Sequence, residues 1–362
     1  MEQPGDALRP DHDPGDLSRR TLLKLAGTGA VTLGALTLAG GGSASEGSSG
    51  WDKTFPKSDR VDHRKVTYDN RLGIRLVADL YVPKTLDRSR RHAALVVGTP
   101  FGAVKEQASG LYAQTMAERG YVTLAHDPSY VGESGGQPHR TASAEALVED
   151  FSAGVDFLGS LPFVDREGIG VIGVCGSGGF GLLAAEIDPR IRAIATVAMY
   201  DIGQAMRQGL APTLDEAALR RSLEQVAAQR WAEVDGAPRM MAPGTPERLG
   251  TASTAVDREL FDYYRTPRGR HPRSTTAFLR TSHAPMALSW SFQNLGWIAP
   301  RPVLFVAGET AHSRAFSEQA YRLASEPKEL FIVPRAGHVD LYDRMNLIPW
   351  DKLSDFFDRS LG

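Results

Sequence analysis

Among 362 residues there is one cysteine, Cys175. A lone thiol closes no intramolecular disulfide and builds no zinc centre from several thiolates. An excess of one charge is missing too. Forty-one basic residues against 43 acidic ones leave a formal net charge of -2, so no broad positive field gathers nucleic acid. The nine histidines are scattered, with no H-E-x-x-H pair, which removes a common signature of zinc hydrolases. Long apolar runs are scarce: the stretch Leu25 to Ala39 is short and rich in Gly, Ala and Thr, whereas a stable membrane span needs ~20 strongly apolar residues. The remaining composition, 42% hydrophobic and 23% charged, excludes a collagen, a coiled coil and a wholly disordered chain.

The first fifty residues read as an address. Three prolines punctuate a polar start, and Ser18-Arg19-Arg20-Thr21-Leu22-Leu23-Lys24 precedes the weakly apolar stretch. A Gly/Ser run from Gly40 to Gly50 follows, with small residues suited to cleavage near Ser43-Ala44-Ser45. The paired arginines resemble a twin-arginine signal. The expected location is therefore extracellular, periplasmic or the cell envelope, with no membrane contact in the mature form unless the signal stays uncleaved as an anchor.

Strands and helices alternate beyond this point. Val61–Asp69 and Gly73–Val82 alternate apolar and polar residues around an Asn70-Arg71-Leu72-Gly73 turn, as an antiparallel pair does. Ala93–Gly98, Tyr121–Ala125, Ile169–Val174, Ile191–Tyr200, Pro302–Ala307 and Glu329–Val333 are short apolar runs of the kind buried on both faces of a parallel sheet. Helical spacing predicts helices over Lys105–Arg119, Ser143–Leu161, Gly181–Ile187, Phe316–Ala324 and Pro349–Leu361. The expected fold is α/β: a mostly parallel sheet with an antiparallel amino-terminal edge and helices on both faces. Residues 203–298 break the rhythm and read as a helical cap insertion between core segments 51–202 and 299–362.

The chemistry concentrates in Val171-Ile172-Gly173-Val174-Cys175-Gly176-Ser177-Gly178-Gly179, where an apolar strand runs straight into a helix. This is the setting of a nucleophile elbow, with small residues two before and two after the nucleophile because strand and helix backbones nearly touch. Two registers fit. One puts Cys175 at the apex and uses Gly173; the other puts Ser177 there and leaves Gly173 unexplained, so the first is preferred. A thiol at a helix start would have its thiolate favoured by the helix dipole. A phosphate loop is the bland alternative, but the Lys-Ser/Thr of a P-loop is missing. His338, in Pro334-Arg335-Ala336-Gly337-His338 after the last strand, stands where this topology returns a base to the elbow.

On these residues the sequence resembles the α/β-hydrolase superfamily, and its G-x-C-x-small-G-G elbow looks most like the dienelactone-hydrolase-like branch, whose relatives include esterases, peptidases and polyketide acyltransferases. Gly98-Thr99-Pro100-Phe101-Gly102 matches the loop that supplies half the family's oxyanion hole, and Asp127 to Gly136 is similar to its Asp-x-x-Gly-x-Gly-x-Ser loop. The resemblance implies an oxyanion hole from the Gly176 N–H with that of Phe101 or Gly102. It also implies a triad acid in a Gly-x-x-Asp loop after the seventh strand, but here the aspartate position is Ala311. Glu309 in the same loop and Asp201 after the sixth strand are the two substitutes; His312 reads as a loop residue near the site. Lys105-Glu106-Gln107 reads as a solvated helix start, with contact to a polar substrate group as the alternative. Trp231, Met240, Met241, Phe261, Tyr263, Tyr264 and Trp290 of the insertion are either cap core or the lining of an apolar acyl pocket.

The expected function is hydrolysis of an ester, lactone or thioester of a small-molecule acyl substrate, through an acyl-enzyme on Cys175 with His338 as base and no cofactor. Acyl transfer and amide or peptide cleavage are the alternatives within enzymes. A non-catalytic ligand-binding protein on the same fold is the alternative outside them.

Overall fold

The computed structural model describes residues 50–210 and 215–362. The expected export signal lies outside the described residues. A hairpin opens the fold: β1 (Val61–Asp69) and β2 (Arg75–Pro83) pair antiparallel from Val61 opposite Pro83 to Asp69 opposite Arg75. Asn70 builds the turn, its Oδ1 accepting the N–H groups of Leu72 and Ile74 at 3.0 Å each. The chain then alternates through β3 (His92–Gly98), α1 (Ala108–Glu118), β4 (Val122–His126), α2 (Ala144–Gly159), β5 (Val164–Val174), α3 (Gly176–Ile187) and β6 (Ala193–Val197). After β6 come α4 (Ile202–Gln208), α5 (Glu216–Val234), α6 (Ala255–Tyr264) and α7 (His283–Met286), joined by long irregular connections. The segment expected to be a helical cap is therefore, among its described residues, partly helical and partly irregular. β7 (Val303–Gly308), α8 (Arg314–Leu323), β8 (Lys328–Val333), α9 (Asp340–Asp343) and α10 (Trp350–Leu361) complete the chain.

The eight strands form one sheet in the order β1-β2-β4-β3-β5-β6-β7-β8. The β1–β2 and β2–β4 pairs are antiparallel and all others parallel, the architecture the alternation predicts. Every residue of β4, β6 and β7 is buried, because helices cover both faces and leave no solvated side for polar residues. The last helix shows what fastens those layers. α10 buries Trp350, Leu353, Phe356 and Phe357 along one stripe, and full burial of such side chains is worth ~1.5–3 kcal/mol each. Gly50–Gly362 form one compact unit, with the segment between β6 and β7 included.

Two helix starts differ most from the periodicity. α1 begins at Ala108, not at Lys105, because the preceding turn is fixed elsewhere: the Lys105 N–H donates to Asp127 Oδ1 at 2.8 Å. α3 begins at Gly176, with its glycines inside the helix. Close packing accounts for them; a Cβ on Gly178 would lie 2.5 Å from Cβ of Met199.

Candidate active site

β5 ends at Val174, and the chain reverses at Cys175, where φ is +57° and ψ is -124°. A non-glycine residue held in such a conformation costs on the order of 1–3 kcal/mol, and the surroundings enforce it. The Cys175 N–H donates to the Val197 carbonyl at 2.9 Å, while the Cys175 carbonyl accepts from Gly178 N at 2.9 Å and Tyr200 N at 3.1 Å. The reversal brings strand and helix so close that a Cβ on Gly173 would lie 2.4 Å from the Ser177 carbonyl oxygen. Of the two sequence registers, the strained bend falls on Cys175. Ser177 sits in the first turn of α3, against Gly98.

Three polar groups lie beside the sulfur: the backbone N–H groups of Phe101 and Gly176 and the hydroxyl of Tyr342. The Phe101 loop is held on two sides. Phe101 stacks on Phe278 with ring centroids 4.1 Å apart. The Gly102 carbonyl accepts from Ser274 Oγ at 3.1 Å and Thr276 N at 3.3 Å, at a φ of +83° that suits glycine. The thiol is 6% exposed. Burial pushes it up to about 11, against the smaller opposite pull of Tyr342, Phe101 and Gly176. At neutral pH it is therefore a thiol. The expectation that the helix dipole would favour the thiolate fails because desolvation is the larger effect.

His338 follows β8 and is fully buried. Its Nε2 lies 2.8 Å from the Tyr342 hydroxyl and its Nδ1 2.6 Å from Ser313 Oγ. Burial pushes the imidazole down to about 3; His312 adds to the shift and Glu259 opposes it. The loop carrying His338 and Tyr342 is tied down by the Tyr112 hydroxyl, which donates to the Leu341 carbonyl at 2.7 Å, and by Arg268, which donates to the Val339 carbonyl at 3.0 Å.

The structure does not bring either carboxylate suggested by sequence to His338. Glu309 accepts from the Arg335 N–H at 2.8 Å at the surface. Asp201 caps α4, accepting from Gln204 N at 2.9 Å, and accepts from Ser291 N at 3.1 Å. Among the described residues, the ring nitrogens of His338 bond hydroxyls and no carboxylate. The nearby acid is one the sequence reading missed, Glu259 of α6. Its Oε2 meets His312 Nδ1 at 2.9 Å and its Oε1 accepts from the Val339 N–H at 3.0 Å. Burial alone would raise this carboxyl, but its bonds to His312 and Val339 outweigh that and bring it to about 2. His312 Nε2 in turn hydrogen-bonds the Tyr200 hydroxyl, and the His312 and His338 rings lie 4.6 Å apart, 37° from parallel.

Lys105 is not a solvated residue. It is fully buried, with its ammonium 2.6 Å from Glu106, 3.0 Å from Asp127 and 2.5 Å from Glu133. These three carboxylates come within 4.8 Å of one another, but the lysine occupies the space between them, so they form an ion network rather than a ready metal site. Asp127 also accepts from Glu133 N at 2.8 Å within the loop after β4, and its bond from the Lys105 N–H ties that loop to the one that carries Phe101. Of the insertion's aromatic residues, Tyr263 and Tyr264 are buried at the Tyr342 ring. Trp231 and Trp290 are exposed, the latter beneath the Arg207 guanidinium at 3.4 Å.

The chain is similar to known proteins along most of its length. The model of the peptidase S15 family, X-Pro dipeptidyl-peptidase, matches residues 73–282. The uncharacterized protein PA2218 of Pseudomonas aeruginosa is 52% identical over 86% of this chain and 84% of its own. Its crystal structure superposes with a TM-score of 0.84 at 50% identity, covering 86% of this chain and 98% of that one. The uncharacterized protein YcjY of Escherichia coli is 33% identical over 82% of this chain and 97% of its own. The thiohydrolase aneE of Aspergillus aculeatus is 32% identical over 43% of this chain and 48% of its own. The chain belongs to the peptidase S15 (X-Pro dipeptidyl-peptidase) family, and its fold is that of an α/β hydrolase.

Proposed function

We propose that this enzyme cleaves ester or thioester bonds of a small-molecule acyl substrate through a covalent intermediate on Cys175, with His338 as base. The observation that carries the reading is the sulfur on a strained bend with two backbone N–H groups beside it. An acyl carbon attached to that sulfur would place its developing oxyanion beside Phe101 and Gly176, and fixed donors of this kind stabilise the tetrahedral state by ~3 kcal/mol each. Thiol and imidazole are both neutral at pH 7, so the proton leaves sulfur as the carbon–sulfur bond forms. The imidazolium has an oxygen acceptor for its Nδ1–H in Ser313. Water activated by the regenerated imidazole then releases the acid. A thioester substrate is in keeping with the relative named a thiohydrolase.

The test compares p-nitrophenyl esters with acyl thioesters on the purified enzyme. Cys175→Ala and His338→Ala are each expected to remove turnover, by a factor of at least ~10³. A folded enzyme that turns neither substrate over would sink the reading. Peptide-bond cleavage is the second reading, favoured by the family match over 73–282. His338, Ser313 and Tyr342 lie outside that span, so X-Pro p-nitroanilides belong in the same assay. If they outrun the esters, this reading replaces the first.

A further inference from the structure

We infer that Tyr342 is a catalytic residue whose hydroxyl carries the proton between Cys175 and His338. The inference rests on the reading of Cys175 as nucleophile and His338 as base. The phenol oxygen lies 2.8 Å from His338 Nε2 and beside the Cys175 thiol, so it stands between the two groups a cysteine hydrolase must connect. It also meets the hydroxyl of Tyr264. One assignment of hydrogens satisfies every atom in the cluster. The thiol and the Tyr264 hydroxyl donate to the two lone pairs of the Tyr342 oxygen. The Tyr342 hydroxyl donates to Nε2, and Nδ1–H donates to Ser313 Oγ. The neutral thiol and neutral imidazole of the buried site are the protonation states this chain requires. The tyrosine is fully buried and locked by the edges of Tyr263 and Tyr264, so its hydroxyl has little freedom to swing aside.

In the acylation step the sulfur–hydrogen bond breaks as the sulfur electron pair forms a bond to the acyl carbon. The thiol proton passes to the Tyr342 oxygen while the phenol's own proton passes to Nε2, so the tyrosine ends neutral and the imidazole becomes imidazolium. The carbonyl π pair moves onto oxygen, beside Phe101 and Gly176. When that pair returns, the carbon–leaving-group bond breaks, and the leaving alkoxide or thiolate takes its proton back along the same path. Nothing is oxidised or reduced.

The experiment is single-turnover acylation by a p-nitrophenyl ester, with peptide mass spectrometry of the quenched enzyme and a proton inventory in mixed light and heavy water. The wild-type acylation rate should bow downward with deuterium fraction, as two protons in flight require. Tyr342→Phe should slow acylation ~10²-fold and straighten the plot. Tyr263→Phe removes a buried hydroxyl from the same ring cluster outside the path, and should stay within about twofold of wild type. A linear wild-type inventory overturns the relay even if Tyr342→Phe does not fold. So does a Tyr342→Phe enzyme that acylates at the wild-type rate, or that slows without changing the inventory. A label missing from Cys175 in the wild-type enzyme instead overturns the nucleophile assignment beneath it.

Discussion

Ser313 Oγ lies 2.6 Å from Nδ1 of His338, and it reaches the ring at the expense of its own helix. Ser313 is the N-cap of α8, where a serine hydroxyl ordinarily accepts a backbone N–H of the first turn, yet it makes no such bond. Giving up a cap costs ~1 kcal/mol. The hydroxyl is spent on fixing the imidazole where a triad would put a carboxylate.

Ser313→Ala should therefore split its effects. Restoring no cap and losing one neutral hydrogen bond, worth about 0.5–1.5 kcal/mol, it should lower kcat/KM by up to ~10-fold while the melting temperature hardly moves. A loss of ~10⁴, of the size seen when a triad aspartate is neutralised, would mean that Ser313 does more than orient the ring.

The charge states of the site set a pH dependence. Burial takes the thiol to about 11 and the imidazole to about 3, so both are neutral throughout the range between. Hydrolysis should show a broad plateau in kcat/KM across neutral pH and fall at acid pH as His338 gains its proton. Iodoacetamide labelling of Cys175 should be slow at pH 7, where ~10⁻⁴ of the thiol is ionised, and should climb toward pH 11. An inflection below pH 8 would reveal a thiolate–imidazolium pair.

Glu259 makes a stability prediction of definite sign. Its folded carboxyl sits at about 2, below its ordinary 4.5, so the stability it contributes is present above pH 4.5. That stability is lost as pH falls through about 2. Glu259→Gln should be less stable than wild type at pH 7, and the gap between their melting temperatures should narrow as pH drops from 5 toward 2. Parallel curves would show that the carboxylate's charge is not what the His312 and Val339 contacts use.

Gly173→Ala probes the bend itself. The added methyl would meet the Ser177 carbonyl oxygen at 2.4 Å, and backbone does not yield cheaply. Thermal unfolding should show a loss of about 1–3 kcal/mol, with acylation slowed further because the bend that presents the thiol is displaced. Wild-type stability would mean that strand and helix are looser there than described.

Export remains a proposal that a localisation experiment settles. Arg19→Lys together with Arg20→Lys should hold the protein in the cytoplasm as an uncleaved chain, read by fractionation and blotting. Unchanged export would remove the twin-arginine reading.

The sheet was legible because its central strands are short apolar runs and its helices carry their own stops, so a mostly parallel sheet with an antiparallel edge followed from alternation, though the order of its strands did not. The bend was legible because close backbone approach demands glycine at Gly173, a constraint visible in one dimension. The electrostatics were not. Lys105 reads as a surface residue until Asp127 and Glu133 are folded around it, and no local pattern announces that a lysine is enclosed by carboxylates from another loop. Glu259 reaches the histidine pair from an insertion helix, and nothing in its neighbourhood marks it as different from other acidic residues there. Tyr342 did have a signal: it stands four residues after His338, the spacing at which side chains meet on a helical stretch. Ala311 removed the one acid the loop pattern pointed to, and the replacement was a hydroxyl two residues further on, Ser313.

The most direct measurement is the site of the covalent bond. After rapid quenching of the enzyme with a p-nitrophenyl ester, peptide mapping should find the acyl group on Cys175, with the label absent in Cys175→Ala and present in Ser177→Ala. An acyl group on Ser177, or steady turnover by Cys175→Ala, would contradict the account.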